Sequence, residues 1–262
     1  MSCDLESLAR FAVTLACAAR EVTMSDCDGG VSVENKLSSG YDPVTLSDRN
    51  AELAIRRLIE GQFPDHGISG EEGTDKKAAG PLTWSIDPID GTRAYICGLP
   101  SWTTLIALLK DGEPVLGLID APRLDEMYLG FGGHALKRVG TTERPITTSG
   151  CTTLADARAS TTDPYLFEGT EADGFERLRR AVRLTRYGLD GYGYAALAAG
   201  GIDIVAESGL KPHDYHALVP IIRAAGGAVA NWSGGSDLGS GQIVAAATEP
   251  LLDAACRVLS GR

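Results

Sequence analysis

Trp84-Ser85-Ile86-Asp87-Pro88-Ile89-Asp90-Gly91-Thr92 is the stretch on which the reading of this chain turns. An apolar, strand-like run ends in two aspartates three positions apart, divided by a proline, and closes on Gly-Thr. Pro88 fixes φ and lacks an N–H, so the backbone is expected to turn sharply after the strand. The two carboxylates can then converge, and their repulsion favours a cation between them over two free anions. Hard oxygen donors suit Mg²⁺ or Mn²⁺. The Ile89 carbonyl is free to act as a further ligand. Gly91 and Thr92 open a helix, and the N–H groups of a helix start can receive an anion. An isolated Asp-Pro-x-Asp would also fit a type I turn with Asp as a helix cap. The upstream strand, the Gly-Thr and the acids described next favour the ion site.

Upstream lies Gly70-Glu71-Glu72-Gly73, whose glycines let a loop approach a site closely. On its own such a pair of acids is a solvated loop. Asp48, in Pro43-Val44-Thr45-Leu46-Ser47-Asp48, reads alone as a helix N-cap, as does Asp214 in Lys211-Pro212-His213-Asp214. The four weak signals, in this order, make a strong set.

Helical spacing of Leu5, Leu8, Phe11, Ala12, Leu15 and Ala19 predicts a helix over 5–23, and a second runs over 50–61. A short strand or loop is expected over 32–36, a turn over 40–43 and a loop over 67–73. Strands are read at 82–86, 102–109, 114–120 and 127–131, with Asp111-Gly112 as a hairpin turn. Beyond Pro145 the texture changes to alternating elements: strands at 157–161, 184–188, 202–207 and 243–247, helices at 174–182, 194–199, 213–225 and 250–260. The expected organisation is an α+β half, 1–140, carrying most of the acids. It is joined in one compact unit to an α/β half, 141–262, carrying Asp214.

With 262 residues, the chain is long enough for one large core or two closely packed ones. A net charge of −11 argues against a nucleic-acid backbone as partner, but not against a small phosphorylated substrate if bound cations supply positive charge locally. The six cysteines are scattered without a Cys-x-x-Cys pair, and are read as reduced, mostly buried thiols of a cytoplasmic protein. No signal peptide or membrane span is expected.

Pro43-Val44-Thr45 through Asp48, Gly70-Glu71-Glu72, Asp87-Pro88-Ile89-Asp90-Gly91-Thr92, and Lys211-Pro212-His213-Asp214 through Ala225-Gly226-Gly227 follow one another across nearly the whole chain. In these four ordered motifs the chain resembles the inositol monophosphatase-like family of metal-dependent phosphatases. The resemblance implies a layered αβαβα sandwich of the inositol monophosphatase/fructose-bisphosphatase type, and a homodimer. It implies that Glu71, Asp87 and the Ile89 carbonyl hold one Mg²⁺, that Asp87, Asp90 and Asp214 hold a second, and that Glu71 shares a third, weaker ion. Asp48 and Thr92 would orient the attacking water, with Glu72 nearby, and the Gly91 and Thr92 N–H groups would bind phosphate. The chemistry implied is in-line attack of an activated water on phosphorus, with no phosphorylated residue.

Arg93-Ala94-Tyr95-Ile96, Gly98-Leu99-Pro100 and Ala206-Glu207-Ser208-Gly209-Leu210-Lys211-Pro212, with Tyr215 and Ala217-Leu218-Val219-Pro220, look like the histidinol-phosphatase branch of that family. There Arg93, Asp190 and Glu207 would face the substrate, the two acids suiting the cationic ammonium of histidinol phosphate. For Glu207 the competing reading is a surface ion-pair partner. Alternative readings are an inositol-1-monophosphatase or broad sugar or nucleotide phosphatase, and a non-catalytic cation-binding regulatory protein. The chain departs from the pattern at Cys97, Leu189, His216 and His213, the last standing where an aromatic Trp or Tyr is common. These departures are expected to leave the metal ligands untouched. His213 is read as a satisfied helix-start residue, with a substrate contact as the alternative.

Overall fold

A computed structural model describes residues 4–27, 33–35 and 43–261. The helix α1 (Leu5–Cys27) is followed by β1 (Val33–Asn35), β2 (Pro43–Thr45) and α2 (Leu46–Gln62). Cys3, Ser32, Lys36 and the expected turn up to residue 42 lie outside the described residues. Next come β3 (Gly67–Gly70), β4 (Leu82–Asp90), α3 (Thr92–Ile96), β5 (Thr103–Lys110), β6 (Glu113–Ala121), β7 (Glu126–Phe131), β8 (His134–Val139) and β9 (Thr142–Pro145). The strands from β3 to β9 form a sheet in sequence order, parallel between β3 and β4 and antiparallel thereafter.

The remaining elements are β10 (Arg158–Thr161), α4 (Thr170–Ala181), β11 (Leu184–Tyr187), α5 (Asp190–Ala198), β12 (Ile204–Glu207), α6 (Pro212–Tyr215), α7 (Leu218–Ala224), β13 (Ala228–Ala230), β14 (Ile243–Ala246) and α8 (Glu249–Ser260). Their sheet runs β11-β10-β12-β14-β13. β10 is parallel to β11 and β12, and β14 is antiparallel to its neighbours.

The layers follow from where apolar side chains alternate. Ile106 and Leu108 of β5 pack with Leu15 of α1 and with Ile55 and Ile59 of α2. Leu105 and Ala107 point the other way, into a core with Tyr194 and Leu197 of α5 and Ile221 of α7. That middle layer also receives Val205 and Ala245 from the second sheet. The far face of that sheet, with Ile204, Ala206 and Val244, is covered by Leu178 of α4 and by Leu251 and Ala255 of α8. The result is helices, sheet, helices, sheet, helices. β5 reads as an unbroken apolar run because both its faces are buried, each large side chain contributing about 1.5–3 kcal/mol. The middle helices sit tightly: a Cβ on Gly117 would lie 1.9 Å from the Ala217 carbonyl oxygen, and one on Gly130 2.3 Å from Ile221 Cα.

Several boundaries differ from the sequence-based expectation. α2 starts at Leu46 because Thr45, not Asp48, is its cap. Thr45 Oγ1 accepts the Asp48 N–H at 3.4 Å, and Asp48 Oδ2 accepts the Thr45 N–H at 2.8 Å, a capping box. α1 runs on to Cys27. Gly67 to Gly70 pair with β4 despite two glycines, which weaken a strand signal. β8 and β9 carry too few buried apolar residues to be read from pattern alone, and β13 is only three residues long. The helix read over 213–225 is two, since Pro220 cannot donate to the His216 carbonyl one turn earlier. The expectation of mostly buried cysteines fails: among the described residues Cys17 and Cys97 are exposed, Cys27 and Cys151 are half-buried, and Cys256 alone is buried. Among the described residues no helix is long and apolar enough to cross a membrane.

Candidate active site

The Asp87-to-Asp90 segment is a bulge inside β4, not a turn after it. Asp87 pairs with Leu105, yet Asp90 pairs with Thr103, so three steps on β4 match two on β5. In a regular strand, residues three apart point to opposite faces. The extra residue cancels that alternation and brings both carboxylates to one side. Pro88 sits where a ladder N–H is dispensable, and its carbonyl accepts the Thr104 hydroxyl at 2.8 Å. Asp87 is buried and accepts the Ile89 N–H at 3.1 Å. The Ile89 carbonyl, the expected metal ligand, accepts the Thr92 hydroxyl at 3.1 Å.

The other acids arrive from separate elements. The Glu71 N–H donates to the Ile86 carbonyl at 3.2 Å, so Glu71 leaves β3 beside the end of its parallel partner. Asp214 belongs to the short α6, where its Oδ2 accepts the Lys211 N–H at 2.7 Å. One oxygen each of Asp87, Asp90 and Asp214 lie within 4.8 Å of one another. Glu71, Asp87 and a ring nitrogen of His213 form a second such trio. His213 Nε2 also lies 3.4 Å from Asp214 Oδ1. The expectation that the departures leave the metal ligands untouched therefore fails at His213. His216 instead faces Ser85 Oγ at 3.0 Å, and burial pushes its imidazole down to about 4.

Electrostatics single out the same group. Burial, followed by the negative charges of Glu71, Asp90 and Asp214, pushes the Asp87 carboxyl well above its ordinary value. Burial, then Asp190 and Asp214, does the same to Asp90. Asp214 is also raised, chiefly by burial. Asp48, buried at the start of α2, is pushed up to about 6 by burial, against the Thr45 hydrogen bonds and with the help of Glu72 and Glu71. Converging carboxylates whose charged forms the site disfavours are the donor set that a divalent cation stabilises. These residues fit a hard cation.

The expected substrate-side residues share a cleft of about 260 Å³ with Asp90, Gly91, Thr92 and Asp214. Arg93 and Asp190 line it, as does Glu207. Glu207 is buried at the end of β12, not a surface ion-pair partner. It accepts the Thr162 N–H at 2.7 Å and the hydroxyls of Thr162 and Thr161 at 3.0 and 3.1 Å. Burial still pushes its carboxyl up to about 7. Asp190 opens α5 with φ of 47°, a left-handed conformation uncommon outside glycine, and burial raises it to about 6 against a Thr162 hydrogen bond and the Arg93 charge. Gly91 has φ of 79°, and a Cβ there would lie 2.9 Å from Asp190 Oδ2.

Sequence reading missed the residues that hold the acids in place. Glu52, buried in α2, accepts the N–H groups of Glu72 and Gly73 at 2.8 and 2.9 Å and pairs with Arg56 Nε at 2.7 Å. Its signal was an acid on the inward stripe of α2, one turn after Asp48 and one before Arg56. Thr103 and Gly191 both donate to Asp90 Oδ2, at 3.0 and 2.6 Å. Neither position carries a pattern in the sequence.

Comparison with known proteins identifies the family of the chain. Residues 4–260 match the inositol monophosphatase family. The chloroplastic bifunctional phosphatase IMPL2 of Arabidopsis thaliana is 44% identical over 194 residues, 73% of this chain and 55% of that protein. The histidinol-phosphatase of Chlorobaculum parvum is 32% identical, over 92% of each chain. A solved inositol monophosphatase from Zymomonas mobilis superposes with a TM-score of 0.86 at 35% identity, covering 98% of this chain and 99% of that one. The chain belongs to the inositol monophosphatase family and is a phosphomonoesterase, a hydrolase.

Proposed function

We propose that this member of the inositol monophosphatase family is a Mg²⁺-dependent histidinol-phosphatase. The observation that carries the substrate choice is the pair Asp190 and Glu207, two acids in the cleft that also contains Asp90 and Asp214. A buried carboxylate poised near neutrality is matched to a substrate ammonium, which would favour its charged form. A neutral polyol offers it no such gain. Similarity to the Chlorobaculum parvum histidinol-phosphatase supports the same choice.

The family resemblance supplies a role for each residue, and the convergence of Asp87, Asp90 and Asp214 supports it. Glu71, Asp87 and the Ile89 carbonyl would hold one cation, and Asp87, Asp90 and Asp214 another, with a third weaker position at Glu71. Bound there, Mg²⁺ would supply Lewis-acid stabilisation of charge at the phosphoryl group and its leaving oxygen. Asp48, Thr92 and nearby Glu72 orient the attacking water. The Thr92 hydroxyl is itself fixed by its bond to the Ile89 carbonyl. Gly91 and Thr92 present backbone N–H groups to the phosphate where α3 begins. Arg93, Asp190 and Glu207 bind the rest of the ester.

A panel of phosphate esters tests the reading. With Mg²⁺ supplied, histidinol phosphate is expected to turn over faster than inositol 1-phosphate and a nucleoside monophosphate. Comparable turnover of inositol 1-phosphate would favour the second reading, an inositol-1-monophosphatase, which the match to the Zymomonas mobilis structure supports.

A further inference from the structure

We propose that His213 supplies an imidazole nitrogen to the cation position formed by Glu71 and Asp87, tilting that position toward Mn²⁺ or Zn²⁺ relative to Mg²⁺. The inference rests on the metal site proposed above and adds a donor of a different kind to it.

The two trios share Asp87 but differ in chemistry. Asp87, Asp90 and Asp214 offer oxygen alone, whereas Glu71, Asp87 and His213 offer two carboxylates and a ring nitrogen, with their ligand atoms within 4.8 Å of one another. His213 follows Pro212 in the first turn of α6, so fixed backbone rather than a mobile loop carries it. Its side chain is only 16% exposed, which directs the ring into the site rather than to solvent. Nε2 stands 3.4 Å from Asp214 Oδ1, placing the ring between the two trios. Where Nε2 faces Asp214 and Nδ1 binds the ion, the carboxylate fixes the orientation of the ring and raises its basicity. Imidazole suits borderline transition metals, while Mg²⁺ takes oxygen donors. An aromatic Trp or Tyr at this position would offer no such nitrogen.

The test titrates Mn²⁺ into the full chain and reads its coordination by pulsed electron paramagnetic resonance, which detects ¹⁴N bound to the ion. Mn²⁺ and Mg²⁺ affinities are measured alongside by calorimetry, in the unaltered chain and in His213→Phe and His213→Tyr. The expected result is ¹⁴N coupling in the unaltered chain that disappears in both variants. Mn²⁺ affinity is expected to fall by about 10-fold or more while Mg²⁺ affinity changes far less. Thermal melts of the metal-free variants establish that they fold. Mn²⁺ binding without ¹⁴N coupling, or coupling that persists in His213→Phe, would overturn the assignment of His213 and leave the carboxylate site standing. Failure of both ions to bind the unaltered chain would overturn the metal site itself, and this proposal with it.

Discussion

Gly191 donates its backbone N–H to Asp90 Oδ2 at 2.6 Å, tying the first turn of α5 to the bulged end of β4. One carboxylate of the site is therefore aimed by an element of the middle layer, 101 residues further along the chain. A Cβ on Gly191 would lie 2.7 Å from Asp90 Oδ2 and 2.8 Å from Thr103 Oγ1. Gly191→Ala is expected to displace the Asp90 carboxylate and weaken Mg²⁺ binding by about 10–100-fold, the usual cost of disturbing the groups behind a metal ligand. Calorimetric titration of Mg²⁺ checks this, and unaltered affinity would show that Asp90 does not depend on that contact.

Glu52 does for the Glu71-Glu72 loop what Gly191 does for Asp90. Its carboxylate is buried and accepts two loop N–H groups while pairing with Arg56. Glu52→Leu leaves those donors and the guanidinium without their acceptor, and is expected to cost about 3–5 kcal/mol in urea unfolding. Glu52→Gln retains one acceptor oxygen and is expected to cost less, while raising the Mg²⁺ concentration needed for half-maximal activity. A Glu52→Gln variant with unchanged Mg²⁺ requirement would remove Glu52 from the positioning of the loop.

Glu207 gives the fold a pH dependence of known sign. Burial raises its carboxyl from the ordinary 4.5 to about 7, so the folded state binds this proton more tightly than the unfolded chain does. The stability contributed by the neutral acid is complete below the unfolded value and is lost as pH rises through about 7. Glu207→Gln keeps a neutral side chain at every pH. Relative to that variant, the unaltered chain is expected to lose about 3 kcal/mol between pH 4 and pH 8. Urea unfolding of the two, compared across that range, should show the gap; parallel pH profiles would mean that Glu207 titrates near its ordinary value.

The site was more legible in the sequence than the fold that assembles it. Asp87, Asp90, Gly91 and Thr92 announce themselves because the residue types, the proline and the spacing all bear on one chemistry. The strand β5 was legible for a similar reason, since burial on both faces leaves an unbroken apolar run. What could not be read was geometry set by partners far away in the chain. The one-residue bulge that brings Asp87 and Asp90 to the same face depends on pairing with β5. The strand at Gly67 to Gly70 exists through its pairing with β4, against the weak propensity of its glycines. Glu52 looked like any helix acid until the loop N–H groups above it were located. His213 reads as a helix-start residue because its neighbours in sequence say nothing of Glu71, just past β3, or of Asp87 in β4, whose carboxylates lie near its ring.

The most direct measurement is Mg²⁺-dependent phosphate release from histidinol phosphate by Asp90→Asn, compared with the unaltered chain. The substitution keeps the size of the side chain and removes one charge from the carboxylate trio. Release is expected to fall by more than about 100-fold, with the folded state retained in thermal melts, since a direct ligand should matter more than the groups behind it. Release at the unaltered rate, with the same dependence on Mg²⁺, would contradict the placement of the cations at Asp87, Asp90 and Asp214.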